Sequence, residues 1–129
     1  MAQLRMVLLA ALLIAGACGS AAGGDPSPTI GTSVVVTMAS DRQTVTAHVG
    51  DHIQIALGDT YSWQLDPPDG VVLVHPLQNY MLVRGTQAIW LAGTAGRSAL
   101  HATGTAVCAS GQPCPMFAVL FSADVIVLP

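Results

Sequence analysis

The sequence contains no lysine and no glutamate, and its 129 residues carry only four arginines and seven aspartates. The formal net charge is -3 at neutral pH. A groove that follows the phosphates of a nucleic acid needs clustered lysine and arginine side chains. A mildly acidic, lysine-free surface cannot build such a groove, so we expect no nucleic-acid partner.

Motifs for catalysis and cofactor binding are also missing. The chain has no Gly-x-Ser-x-Gly elbow, no His-Glu-x-x-His and no glycine-rich phosphate loop. Most aspartates fall at predicted turns, where they can cap backbone amides, and only Asp66 and Asp69 are close enough to be weighed as paired catalytic carboxylates. His48 and His52 flank Asp51 and are the candidate metal ligands, but isolated histidines at strand ends are usually solvated. We therefore expect no enzyme, no cofactor and no metal site.

Helical periodicity is absent after the N-terminal segment. Short segments rich in valine, isoleucine and threonine instead alternate apolar and polar residues with a period of two, which is typical of strands. Trp63 and Trp90 occupy positions that can face inward, and we expect both in the core. Seven or eight short strands predict an all-β, immunoglobulin-like sandwich of antiparallel strands, with a small barrel as the alternative. The predicted strands are residues 33–38, 44–49, 52–57, 60–65, 72–74, 86–93, 98–104 and 116–127.

The N-terminus has the pattern of a signal peptide. Arg5 precedes an apolar run from Met6 to Ala15 that is too short to span a bilayer. The sequence AGAC, which ends at Cys18, resembles the bacterial lipobox, in which the cysteine is lipidated. The alternative is an ordinary secretory peptide that leaves Cys18 as a thiol.

These features predict a lipoprotein signal peptide (1–17), a flexible tether (18–31) and one immunoglobulin-like domain (32–129). The tether is rich in small residues and proline, which suits a linker. We expect the mature protein to be extracytoplasmic and attached to the bacterial cell membrane through lipidated Cys18.

Two further cysteines, Cys108 and Cys114, stand six positions apart. Their spacing matches neither the usual zinc clip nor a Cys-x-x-Cys redox pair. Outside the cytoplasm such thiols oxidise, and Gly111 and Pro113 between them suit a turn. We therefore predict a disulfide that closes the loop between the last two strands and stabilises the domain by roughly 2 to 2.5 kcal/mol.

The order of motifs resembles that of secreted actinobacterial lipoproteins with an immunoglobulin-like domain, and more distantly that of chagasin-type cysteine-peptidase inhibitors. The resemblance rests on VGD (49–51), YSW (61–63), GTAGRSALHAT (93–103), the cysteine loop and FSADVIV (121–127). It implies a sandwich fold. The family's Asn-Pro-Thr-Thr-Gly and Arg-Pro-Trp stretches have no counterpart in this chain, so no inhibitory residue is carried over.

We therefore expect a lipid-anchored, non-enzymatic binding or envelope-associated module with an unknown protein partner. The alternative is a chagasin-like inhibitor of papain-type cysteine peptidases, in which loops at 58–61, 78–86 and 108–114 enter the peptidase cleft. The candidate partner-binding residues on these loops are Asp59, Thr60, Tyr61, Tyr80, Arg84 and Gln112.

Replacing the predicted lipidation site should detach the protein from the membrane. We expect Cys18→Ala to shift the protein from the detergent phase to the aqueous phase, or to leave it unprocessed, because the apolar run is too short to hold it in a bilayer. Phase partitioning of wild type and variant measures this. Equal partitioning of the two proteins would contradict lipidation.

Overall fold

The computed structural model describes residues 31–129, so the predicted signal peptide, Cys18 and nearly all of the tether lie outside the described residues. The described part is all-β, as predicted, and a single short 3-10 turn (Met38–Ser40) interrupts its strands. No helix within it is long and apolar enough to cross a membrane. The strands are β1 (Ser33–Val36), β2 (Thr44–His48), β3 (His52–Ile55), β4 (Tyr61–Leu65), β5 (Leu73–Val74), β6 (Ala88–Ala92), β7 (Gly96–Ala106) and β8 (Ala118–Leu128).

The strands form two four-stranded sheets, in the orders β1-β3-β6-β5 and β2-β8-β7-β4. This arrangement confirms the sandwich and leaves the barrel alternative without support. Four of the pairings within residues 31–129 are antiparallel, as predicted, but β1 pairs with β3 and β2 with β8 in parallel. The chain reverses direction at each connection, so strands separated by an even number of connections run the same way. The sheets are therefore mixed.

Alternating residues from both sheets build the core between them. Along β8, Phe121, Ala123, Val125 and Val127 are buried while the residues between them face outward. Trp90 is buried, and Trp63 is partly buried against the same cluster, as expected for both tryptophans. The rest of the buried apolar core consists of Val36, Ala47, Ile53, Ile55, Leu57, Leu73, Ala92, Leu100 and Ala102.

The VGD turn carries the chain from one sheet to the other between β2 and β3. The Asp51 carboxylate is nearly buried and accepts a hydrogen bond from the backbone N–H of His48 at 2.8 Å. Two backbone hydrogen bonds join this turn to the end of β6. Gly50 donates its N–H to the carbonyl of Ala92, and Ala92 donates its N–H to the carbonyl of Asp51. This end of the sandwich is therefore closed by backbone hydrogen bonds to the sheet.

The position of β4 on β7 is fixed by a tryptophan that lies over a glycine. Trp63 and Gly104 are directly paired across the two strands, and a Cβ atom on Gly104 would stand 2.9 Å from the indole ring. The indole N–H of Trp63 is buried and has no hydrogen-bond partner among the described residues. Packing against Gly104, Tyr61 and the core therefore holds this side chain in place.

A methyl group at position 104 should displace Trp63 from the core. We expect Gly104→Ala to lower the free energy of unfolding by about 1 to 3 kcal/mol, because overpacking forces the ring or the strand to shift. Urea unfolding measures the change. In a double-mutant cycle, Trp63→Phe should cost less in the Gly104→Ala background than in wild type. Additive effects of the two substitutions would contradict the contact.

Candidate functional site

Three connections meet at one end of the sandwich, which we call the loop end. They are the first loop (56–60) between β3 and β4, the long loop (75–87) between β5 and β6, and the disulfide loop (107–117) between β7 and β8. The pairings of Ile55 with Ala88 and of Tyr61 with Ala106 place the ends of these loops at the same end. The structure thus brings together the three segments that the sequence predicted.

The first loop and the long loop are joined through their backbones. Gly58 donates its N–H to the carbonyl of Gly85 at 3.0 Å, and both glycines adopt left-handed φ angles of 86° and 85°. The side chain of Gln87 bonds the first loop twice, accepting from the N–H of Leu57 at 2.7 Å and donating to the carbonyl of Gly58 at 2.8 Å. These contacts fix the two loops relative to each other before any partner binds.

A single ion pair bridges the same two loops on the surface. Arg84 Nε lies 2.5 Å from Asp59 Oδ2. Both side chains are largely exposed, so the pair contributes little to stability. The three loops contain no other Asp, Glu, Lys or Arg residue. The loop end is therefore close to neutral.

Aromatic contacts join the start of β4 to the disulfide loop. Tyr61 packs edge-on against Phe117 at a centroid distance of 6.0 Å and against Trp63 at 5.7 Å. Because Trp63 is packed into the core, this row connects the disulfide loop to the interior of the sandwich. Tyr61 thus provides an aromatic contact between β4 and the disulfide loop.

The disulfide loop is closed by the predicted bond between Cys108 and Cys114, whose Cα atoms are 5.4 Å apart. The bond lies beyond the last pair of β7 and β8, at the tip of the hairpin. Gln112 is exposed within this loop, and its N–H bonds the carbonyl of Ala109. A groove of about 470 Å³ lies beside the bond, lined by Thr105, Ala106, Cys114, Pro115, Met116 and Phe117.

Tyr80 lies apart from the other candidate residues. Its hydroxyl is 2.9 Å from Nε2 of His52, and the two rings meet edge to face. His52 begins β3, three residues before the loop end, which corresponds to about 10 Å along a strand. Asp59, Thr60, Tyr61 and Arg84 therefore share one surface, while Tyr80 lies on the flank of the first sheet.

The loop end also carries exposed apolar residues that the sequence did not predict as partner-binding residues. Val83, Val107, Met116 and Leu120 are between 64% and 101% exposed at or next to the loop end, and Leu82 and Phe117 are about half exposed. The apolar run in YMLVRG, which follows the strand-breaking Pro76, could have indicated them. An apolar run in a loop is exposed and is typical of an interaction surface. The loop end is thus a largely apolar surface that contains one ion pair, Arg84–Asp59.

The two histidine candidates for a metal site each have a neighbouring side chain. His48 Nδ1 is 3.9 Å from Asp51, whereas His52 turns to Tyr80. No group of three His, Cys, Asp or Glu side chains within residues 31–129 is arranged to hold a metal ion. These histidines therefore do not converge on a common point.

Asp69 caps the backbone that leads into β5. Its carboxylate accepts hydrogen bonds from the N–H groups of Val71, Val72 and Leu73 at 2.6, 2.7 and 3.2 Å, and from the Ser98 hydroxyl on β7. Burial raises the pKa of Asp69, but the bonds from Ser98 and the three amides together outweigh it, so the pKa lies below its ordinary value. Asp69 thus joins the two sheets as an ionised cap.

Comparison with known proteins finds the same fold in a solved structure. No protein-family model matches the sequence, and no curated protein is significantly similar to it. The crystal structure of the cysteine protease inhibitor EhICP2 from Entamoeba histolytica is similar, with a TM-score of 0.53 and 13% identity over 75% of this chain and 96% of that one. The solution structure of Amebosin gives 0.44 and 18% over 75% and 98%. The chain thus has a sandwich fold also found in a cysteine protease inhibitor.

The role of Asp69 predicts a specific pH dependence. Its pKa is lower in the folded state than in the unfolded chain, so the ionised form stabilises the fold above the unfolded value of about 3.9, and this stabilisation is lost as the pH falls through the lower folded value. We expect Asp69→Asn to be less stable than wild type at neutral pH, and the gap to close in acid. Urea unfolding at several pH values measures it.

Asp66→Asn is the control, because Asp66 is exposed in the same connection. Its stability should follow that of wild type across the pH range. A gap between wild type and Asp69→Asn that stays constant into strong acid would contradict the assignment.

Proposed function

We propose that the protein is a lipid-anchored, extracytoplasmic, non-enzymatic binding module whose loop end occupies the cleft of a papain-type cysteine peptidase and inhibits it. The convergence of three cross-bonded loops on one apolar end of the sandwich carries this proposal. A structure with the same fold is that of a cysteine protease inhibitor. The chagasin-like alternative thus becomes the preferred interpretation.

The shape and chemistry of the loop end suit a cleft. A peptidase cleft receives an extended chain and its apolar side chains, and the exposed Leu82, Val83, Met116 and Phe117 offer such side chains from two separate loops. Association must offset the loss of translational and rotational freedom and the ordering of loops. The Gly58–Gly85 contact and the disulfide reduce the ordering that remains.

Because the Asn-Pro-Thr-Thr-Gly and Arg-Pro-Trp stretches are absent, we place the contacts with the peptidase on other loop residues. The first loop has only five residues between β3 and β4, and it is tied down by Gly85 and Gln87. The long loop and the disulfide loop, with thirteen and eleven residues between their strands, flank it. We therefore assign most of the binding surface to these two outer loops.

The direction of the chain fits an anchored inhibitor. Gly31 lies against Gly50 at the end of the sandwich opposite the loop end, and β1 runs from there toward the loops, parallel to β3. The eleven residues of β8 span about 35 Å along the domain. With Cys18 lipidated, the anchored segment would enter the domain at the end opposite the loop end.

Titration against a papain-type peptidase tests the proposal. We expect the exported protein to inhibit the peptidase, and Val83→Asn to raise the inhibition constant about tenfold or more, because burying a valine contributes about 1.5 to 3 kcal/mol. Residual activity against a small fluorogenic substrate measures both.

Val71→Asn is the matched control. Val71 is 63% exposed against 66% for Val83, but it precedes β5 at the other end of the domain. Its inhibition constant should equal that of wild type. Absence of inhibition by the wild-type protein, or equal losses in the two variants, would refute the use of the loop end.

A further inference from the structure

The disulfide stands at the surface that the proposed function places inside a cysteine peptidase. Cys108 and Cys114 are both exposed. Cys114 also lines the apolar groove beside Met116 and Phe117, whereas Cys108 does not. A peptidase that fills this groove would therefore bring its own groups next to Cys114.

The two halves of the disulfide differ in stiffness. Cys114 stands between Pro113 and Pro115. Proline fixes its own φ angle and restricts the residue before it, so this sulfur is presented on a rigid segment. Cys108 is followed by Ala109, Ser110 and Gly111, the last with a left-handed φ of 78°. The Cys114 side is thus the more rigidly held half of the disulfide.

We propose that the Cys108–Cys114 disulfide is an electrophile that captures the catalytic cysteine of the bound peptidase. The peptidase thiolate attacks Sγ of Cys114 and forms a new disulfide bond, while the bond between Cys114 and Cys108 breaks. Cys108 leaves as a thiolate and takes a proton from water. One disulfide replaces another, so no external oxidant or reductant is consumed. This proposal rests on the proposed function.

Two properties of the proposed complex promote attack by the peptidase thiolate. The nucleophile of a papain-type peptidase is ionised at neutral pH, because its pKa is strongly lowered by the paired histidine. Docking raises the effective concentration of that thiolate at the disulfide far above its concentration in solution. Outside the cytoplasm no glutathione pool competes for the disulfide. Exchange should therefore follow docking and make inhibition reversible by reductant.

The test uses the exported, full-length processed protein and an activated papain-type peptidase desalted free of reductant. After mixing and quenching with N-ethylmaleimide, non-reducing electrophoresis and intact mass should show a one-to-one adduct that dithiothreitol removes. Peptide mapping should place the new bond on Cys114 and the maleimide on Cys108.

Two controls separate exchange from simple binding. A peptidase whose catalytic thiol is already alkylated should bind the protein without forming an adduct. The double variant Cys108→Ser/Cys114→Ser, checked for an intact sandwich by circular dichroism, should also give none. Reduced glutathione at the peptidase concentration should open the disulfide much more slowly than the peptidase does.

The outcomes distinguish the two proposals. Inhibition by the wild-type protein without an adduct would overturn the exchange and leave the proposed function standing. An adduct through Cys108, or opening by glutathione at the same rate as by the peptidase, would overturn the directed capture by Cys114. If neither inhibition nor an adduct is seen, the proposed function fails and the exchange fails with it.

Discussion

Ten residue pairs hold β7 against β8, from Gly96 opposite Val127 to Thr105 opposite Ala118. Because side chains alternate between the faces of a strand, a slip of one residue would turn Phe121 and its buried neighbours to solvent. β2 and β4 pair with the outer edges of these two strands. The height at which the disulfide loop leaves the sandwich, and its distance from the first loop, therefore follow from this one register.

The sequence predicted which face of each strand is buried better than it predicted the direction in which the strands pair. The alternation in β3 and β8 identifies which side chains enter the core, because burial of every second residue is a local property. The parallel pairings of β1 with β3 and β2 with β8 depend on contacts between distant segments, and a period-two pattern is the same for either direction. The antiparallel prediction was incorrect for these two pairs for that reason.

The candidate site was likewise predictable only where it depends on local sequence. Glycine, aspartate and proline residues predicted the three loops, and the cysteine spacing together with the expected export predicted the disulfide. The partners of individual side chains were not predictable, since Arg84 meets Asp59 across 25 positions and Tyr80 meets His52 across 28. The exposed apolar residues, such as Val83 and Met116, were not predicted, because polar residues are the usual candidates for binding in loops. A protein-binding surface is nevertheless often apolar at its centre.

The backbone contact between Gly58 and Gly85 links the evolutionary variation of the two loops. Both positions hold left-handed conformations that residues with a side chain adopt at a cost, and each glycine keeps the other loop in place. A homologue that lengthens its first loop must therefore release or rebuild the long loop as well. Related chains should accordingly keep both glycines or lose both, and changes in loop length should occur in pairs.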